Sequence, residues 1–380
     1  MTDSLPGSGR RIALAFPSML PLGGAERVQI DLAHEFQLLG FAVDIVIADE
    51  PQDARPYFHD EVRIFTFGAS RIRSFIRPFM AYLRAERPDL VIASMWPFTV
   101  ACVIAARLAR TSTPVVVSDH TILSAQYANQ GAVHWLLMRA SIALAYPLAA
   151  ARVGVSCGVA SDVARLGRLT PESVTVIHNP VSTQCIQSGG EGLNEVGDAW
   201  QGHTGARLLA VGRLKEAKNY PVMLRALSQL LERRPAHLVI LGTGPLEAHI
   251  RQLVRTCGLT EHVSLAGHVD VLAAYYQRAD LFILSSDYEG FGNVIVEAMS
   301  CGTPVVSTDC PSGPREILEY GALGRLVPVG DASALAIAIE AELDMPHLPE
   351  DLKKRAADFS PAIAARRYLA LVFPEISAQQ

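Results

Sequence analysis

The stretch "DLFILSSDYEGFGNVIVEAMSCGTPVVST", residues 280–308, contains a complete strand–helix–strand unit. "LFILSS" is an apolar run of strand length. "DYEGFGN" has turn chemistry with two glycines, and "VIVEAMSCG" reads as a helix closed by Gly302. "TPVVST" is a second β-branched run. Two strands joined through a helix run parallel, and a parallel sheet is covered by helices on both faces. The same stretch raises a chemical question. Glu289 stands in the loop, and Glu297 stands eight positions later among apolar residues. A glutamate is almost never buried without a partner, and an unpaired carboxylate in an apolar setting takes up a proton instead.

Working outward, the same alternation fills the chain. "RIALAF", "FAVDIVIA", "DLVIAS", "PVVVSD", "RVGVS" and "VTVIHN" are candidate strands in the N-terminal half. "AERVQIDLAHEFQLLG" is a helix with Ala25, Val28, Leu32, Phe36 and Leu39 on one face, ended by Gly40. The rhythm stops in "HNPVSTQCIQSGGEGLNEVGDAWQG", whose Gly, Ser and Asn content is that of a linker. It restarts with "ARLLAVGRL", "HLVILGTG", "HVSLAG", "DLFILSS", "TPVVST" and "GRLVPV". The fold class expected is α/β: two doubly wound, Rossmann-like domains over 1–178 and 179–359. Ser360 as N-cap and Pro361 at the first helical position open a closing helix over 359–373. Ligands of open parallel sheets bind at the carboxyl ends of strands, so two such sheets imply an interdomain cleft lined by post-strand loops.

Composition agrees with a well-packed protein: 380 residues, 50% hydrophobic and 19% charged. The net charge of -5 argues against a general nucleic-acid binder. Residues 1–180 carry sixteen arginines and no lysine against fifteen acids, whereas 181–380 carry seventeen bases against twenty-three acids. The first half is therefore the one suited to an anionic surface. Six cysteines without paired C-x-x-C or Cys/His spacing predict reduced, buried thiols and no structural zinc. "GRRIALAFPSMLPLGGAER" has the outline of a signal peptide, but Pro17 and Pro21 break its apolar run, and a buried first strand is expected. The uncharged apolar run 140–151 contains Pro147 and is too short to span a bilayer.

Candidate site residues cluster after strands. Arg213 follows one directly and Lys218 lies in the next loop. Such a pair either brackets a diphosphate, with a planar fork and a compact charge, or is two solvated cations. Gly23 and Gly24 stand between the first strand and the first helix. There they permit close backbone approach of an anion to a helix N-terminus, or form a plain tight turn. No G-x-G-x-x-G is present, since "LGTGPLE" ends at Glu247, so a dinucleotide fingerprint is absent. Glu297 either accepts hydrogen bonds from a vicinal diol or is an ordinary acid near a helix start.

E-G-F-G-x-x-x-x-E followed by A-x-x-x-G-x-P-V-V resembles glycosyltransferase family 4, the retaining nucleotide-sugar transferases of GT-B fold. "GGAER", "SDHT", "VGVSCGV", "VIHNPV", "VGRLKEAKNY", "LGTGPLE" and "DCPSGPREIL" extend the resemblance over nearly the whole chain, in the family's order. It implies an acceptor-binding N-terminal domain with a C-terminal helix, 360–380, packed back on it, and a donor-binding C-terminal domain. It assigns Arg213 and Lys218 to the donor diphosphate, Glu297 to the ribose and Glu289 to the donor sugar. Backbone N–H groups of Gly290, Phe291 and Gly292 would meet sugar and phosphate, Gly24 the diphosphate, and His120 the transferred sugar. Asn293 stands where many members have an apolar residue or proline.

The resemblance further implies retention by same-face attack and no cofactor beyond the nucleotide sugar. With no D-x-D motif, metal independence is expected. "DCPSGPREIL" is similar to the branch that extends lipopolysaccharide and lipid-linked oligosaccharides from UDP-sugars. A cytoplasmic enzyme, peripheral on the inner membrane face, would follow. Residues 71–87, with five arginines among aromatic and aliphatic residues, are the candidate contact with an anionic membrane. An epimerase of the same two-domain fold and a non-catalytic sugar-binding module are the alternatives.

Overall fold

The computed structural model describes residues 6–19, 23–49, 55–69, 71–182, 199–269 and 271–377. Two compact units divide the chain. One comprises Met1–Pro180 with Pro361–Gln380, the other Val181–Ser360.

The first unit is a seven-stranded parallel sheet in the order β3-β2-β1-β4-β5-β6-β7. Its strands are β1 (Arg11–Phe16), β2 (Ala42–Ile47), β3 (Arg63–Thr66), β4 (Leu90–Ser94), β5 (Val115–Asp119), β6 (Ala151–Gly154) and β7 (Thr175–Val176). The arginine-headed apolar run with a signal-peptide outline is β1, paired on both sides. Ile12, Leu14 and Phe16 of that strand pack with Val28, Leu32 and Phe36 of helix Gly24–Leu38 in one core. Helix Pro361–Ala370 joins the same core through Ala364, Ala365, Tyr368 and Leu369, and Tyr368 shares a 2.8 Å hydrogen bond with Ser118 at the end of β5. This helix stops at Ala370, three residues short of the expected end at Phe373.

The second unit has six parallel strands in the order β10-β9-β8-β11-β12-β13. They are β8 (Ala206–Val211), β9 (Ala236–Leu241), β10 (Val263–Gly267), β11 (Leu281–Leu284), β12 (Val305–Thr308) and β13 (Arg325–Val327). In both sheets the order reverses beside the first strand, between β1 and β4 and between β8 and β11. Loops leaving a reversal point diverge to opposite faces, and the gap between them is where open α/β sheets hold ligands.

Four expectations are corrected. β3 is absent from the sequence reading because "RIFT" is a half-exposed edge strand without a continuous apolar run. It is recruited by Asp44 of β2, which accepts from Arg63 at 2.9 and 2.8 Å, from Arg11 at 2.7 Å and from Tyr82 at 2.7 Å. Helix Ile72–Glu86 does not offer its aromatic residues to a membrane. Phe75, Phe79, Tyr82 and Leu83 are buried, whereas its arginines stay exposed and Ile72 is its one exposed large apolar residue. The cysteines are not uniformly buried: Cys102 and Cys310 are, whereas Cys157 and Cys257 are exposed; Cys185 lies outside the described residues. The linker composition also overreached, since Trp200 is buried and donates to the His237 carbonyl at 3.1 Å; residues 183–198 lie outside the described part. No described helix is long and apolar enough to cross a membrane.

Candidate active site

In the second unit the loops after β9, β8 and β11 meet at the carboxyl edge of the sheet. A Cβ on Gly242 would lie 2.2 Å from the Gly212 carbonyl oxygen, and one on Gly244 2.4 Å from that of Leu214. The glycines of "LGTG" therefore serve loop-on-loop packing. The Leu214 N–H to Thr243 carbonyl bond at 2.9 Å fixes the same contact. Gly212 has a positive φ of 155°. Its carbonyl accepts from Tyr220 at 3.1 Å, and Lys218 closes over it, with Cε 3.1 Å from where a Cβ would stand.

Lys218 ends the short turn Glu216–Lys218, and its Nζ lies 2.7 Å from Oε1 of Glu289. Ser286 donates to the same oxygen at 2.6 Å, and no described hydrogen bond reaches Oε2. The two loops are stitched together beneath this pair. Asn219 donates to Asp287 at 2.6 Å, Ser285 to the Lys218 carbonyl at 2.8 Å, and the Asp287 N–H to the Ala217 carbonyl at 2.8 Å. Burial pushes the Glu289 carboxyl up, but Lys218, Ser286 and Lys215 together outweigh it and hold the group below the usual carboxylate range. It is ionised at neutral pH. Arg213 is exposed at the rim, and Lys215, which the sequence did not single out, adds a third cation. Desolvation first, then Lys218 and Arg213, lower the Lys215 ammonium's pKa, and Glu289 offsets part of that effect.

Glu297 is the fifth residue of helix Asn293–Ser300, is only 9% exposed, and accepts from the Tyr276 hydroxyl at 2.8 Å through Oε2. Tyr276 belongs to helix Leu272–Arg278 and is fully buried. Nothing in "LAAYYQR" marks that tyrosine; only the packing of the two helices brings it to the carboxylate. Between the two glutamates, Gly292 takes φ 100° as the cap of the helix, with Asn293 as its first residue. The phenyl ring of Phe291 is buried against Phe359, so only its backbone lies in the loop. Ser312 donates to the Gly290 carbonyl at 2.8 Å, and Gly313 passes so close to Phe291 that a Cβ would meet its carbonyl oxygen at 1.8 Å. The segment "DCPSG" thus props the glycine loop from behind. Arg315 is tied back to Asp309, its Nε donating at 2.8 Å.

In the first unit His120 follows β5. Its Nε2 lies 3.3 Å from the Ser118 hydroxyl. Burial depresses the imidazole to about 4, against a smaller upward pull from Asn179, so the ring is neutral at pH 7. Beside it, burial raises the Asp119 carboxyl to about 7, partly offset by the Tyr146 hydroxyl at 2.8 Å. Gly23 and Gly24 open helix Gly24–Leu38, but Gly23 has an ordinary extended φ of -124° and its N–H donates to Glu26 at 3.0 Å. A carboxylate of the chain itself already sits at that helix end.

Arg213, Lys218, Glu289, Glu297 and the 290–293 loop are thus brought to one edge of the second unit, while His120, Gly23 and Gly24 belong to the first. A cluster of cations around an ionised carboxylate, beside a second, hydroxyl-bonded carboxylate, can bind an anionic group and polyhydroxyl groups together.

Comparison with known proteins gives the following matches. The family described as Glycosyltransferase Family 4 matches residues 22–184, and that described as Glycosyl transferases group 1 matches residues 205–344. A Campylobacter jejuni N-acetylgalactosamine-N,N'-diacetylbacillosaminyl-diphospho-undecaprenol 4-alpha-N-acetylgalactosaminyltransferase is 28% identical over 253 residues, 66% of this chain and 66% of that protein. A lipopolysaccharide core biosynthesis glycosyltransferase of Rhizobium meliloti is 34% identical over 35% of this chain and 38% of its own. The chain therefore spans at most about two thirds of these curated relatives. Among solved structures, a lipopolysaccharide outer core galactosyltransferase superposes with a TM-score of 0.73 at 18% identity, covering 96% of this chain and 99% of that one. An Anabaena protein solved with UDP and glucose does so with a TM-score of 0.70 at 22% identity, covering 97% and 98%.

Proposed function

Starting from a chain that belongs to the family-4 glycosyltransferases and has their GT-B fold, we propose that it transfers a hexose or N-acetylhexosamine from a UDP-sugar to a saccharide or lipid-linked saccharide in cell-envelope polysaccharide synthesis. The observation that carries this reading is the Lys218–Glu289 pair at 2.7 Å, at the reversal point between β8 and β11 with Arg213 and Lys215 alongside. A donor diphosphate would draw Lys218 to itself, and Glu289, already ionised, would then accept hydrogen bonds from the sugar. Glu297, held in place by the Tyr276 hydroxyl on Oε2, would take the ribose hydroxyls. The galactosaminyl-transferring and lipopolysaccharide relatives favour the envelope setting, and the UDP-bound neighbour favours the uridine donor.

The barrier is separation of the diphosphate from an oxocarbenium-like sugar. Arg213 and Lys218 fixed at the leaving group stabilise charge that grows only towards the transition state. The reaction is retaining: the acceptor hydroxyl attacks the face that the diphosphate leaves and passes its proton to the departing phosphate oxygen. Arg213 and Lys218 fill the place a divalent metal takes in other transferases. Neutral His120 can donate one hydrogen bond to the transferred sugar without adding charge.

Turnover with a UDP-sugar should fall on the order of a hundredfold in Arg213→Ala and in Lys218→Ala, the scale of deleting one preorganised charge contact. Lys218→Ala should also lower the melting temperature, because it strands a carboxylate only 13% exposed, while exposed Arg213→Ala should not. Wild-type turnover in either variant would remove the leaving-group assignment.

A further inference from the structure

Helix Gly131–Ala145, "GAVHWLLMRASIALA", is apolar around its whole circumference, with Arg139 its single formal charge. A helix of that kind belongs inside a core or against a membrane. Yet only Met138, Ile142 and Ala145 are buried here. Val133 is 75% exposed, Leu136 68%, Leu137 63% and Leu144 75%. Positions 133, 137, 140 and 144 follow helical spacing and form one stripe on the side away from the buried residues. The stripe continues into Leu148 of the next turn, and on helix Phe98–Ala109, which packs against this one, Leu108 and Ile104 are exposed too. Arg107 of that helix donates to the Leu148 carbonyl at 2.8 Å. Single exposed leucines need no explanation, but a contiguous apolar face marks an interaction surface.

Charge decides what covers it. Arg107, Arg110 and Arg139 border the face, and Arg84 reaches its edge by donating to the carbonyls of Leu108 and Ala109 at 3.4 and 3.2 Å. Between Asp89 and Asp162 the sequence has one acid, Asp119, and it is buried. A second copy paired across a two-fold axis would set these arginines near their own kind with no acid opposite. An anionic bilayer complements both features, because the headgroups meet the arginines and the leucines enter the interface. We propose that this face seats the first unit in the headgroup region of an anionic bilayer. It differs from residues 71–87, whose aromatic residues are in the core. It also stands apart from the catalytic reading, since neither donor nor acceptor identity enters it.

The test is co-sedimentation of the full chain with phosphatidylcholine vesicles and with vesicles containing phosphatidylglycerol, at low and high salt. The wild type should partition about tenfold better onto the anionic vesicles at low salt and lose most of that advantage at high salt. The Leu137→Glu/Leu144→Glu variant should lose about tenfold or more of its partitioning on anionic vesicles, with unchanged melting because both side chains are exposed. A variant that partitions like the wild type overturns the proposal. So does a wild type that ignores the anionic vesicles, and a variant that turns a dimer into a monomer would assign the face to a second copy.

Discussion

Glu289 and Glu297 solve the burial of a carboxylate in two ways, and their functions should separate accordingly. Glu289 is held ionised by a lysine, so its charge is available and its partner exchangeable. Glu297 leans on a neutral tyrosine within a helix packed on both sides. If the first meets the donor sugar and the second the ribose, Glu289→Ala should leave UDP binding nearly intact while weakening the UDP-sugar. Glu297→Ala should weaken both ligands, each lost hydrogen bond to a charged group being worth about 1.5–3 kcal/mol. Calorimetric titration of both variants with UDP and a UDP-sugar decides it; equal losses for both ligands in both variants would refute the division. The sequence identified these two residues as needing partners. It named neither Tyr276 nor Ser286, because a hydroxyl donor leaves no pattern until the fold delivers it.

Among the elements, the short turn 312–314 matters more than its length suggests. Gly313 has φ 79° and presses on the Phe291 carbonyl, so Gly313→Ala combines a disfavoured backbone with a backbone clash. It should cost more than about 1 kcal/mol of stability and, by displacing the 290–293 loop, weaken the UDP-sugar as well. Thermal melting alongside titration checks both effects, and an unchanged melting temperature would mean that the turn yields freely. Helix Ile72–Glu86 illustrates the opposite difficulty. Its arginines and aromatics read as one membrane-facing surface, but the tertiary structure separates them, drawing Phe75, Phe79 and Tyr82 inward through aromatic stacking and the Asp44 network. Helix Gly131–Ala145 is held through Met138, Ile142 and Ala145 and through contacts of His134 and Ser141 with Trp96, while its leucines stay outside.

At the scale of the molecule, the second unit has its own core and carries every candidate donor contact except Gly23, Gly24 and His120. UDP at a hundred times its dissociation constant should therefore stabilise the protein by about 2.7 kcal/mol, read as a shifted transition in scanning calorimetry of the full chain. An unchanged thermogram with millimolar UDP would count against the uridine donor. The sequence by itself determined the two parallel α/β sheets, because apolar runs buried on both faces and separated by helices allow few other arrangements. It also fixed which post-strand loops carry charge. Only the tertiary structure decided which strand lies beside which, and so that the loops after β8 and β11 are neighbours. It added edge strand β3, gave the glycines of "LGTG" to packing, and turned the leucines of 133–148 outward. The reason is common to all of these. Local composition reports what a segment must bury or pair, whereas the partner that satisfies it comes from a distant segment with no local signal of its own.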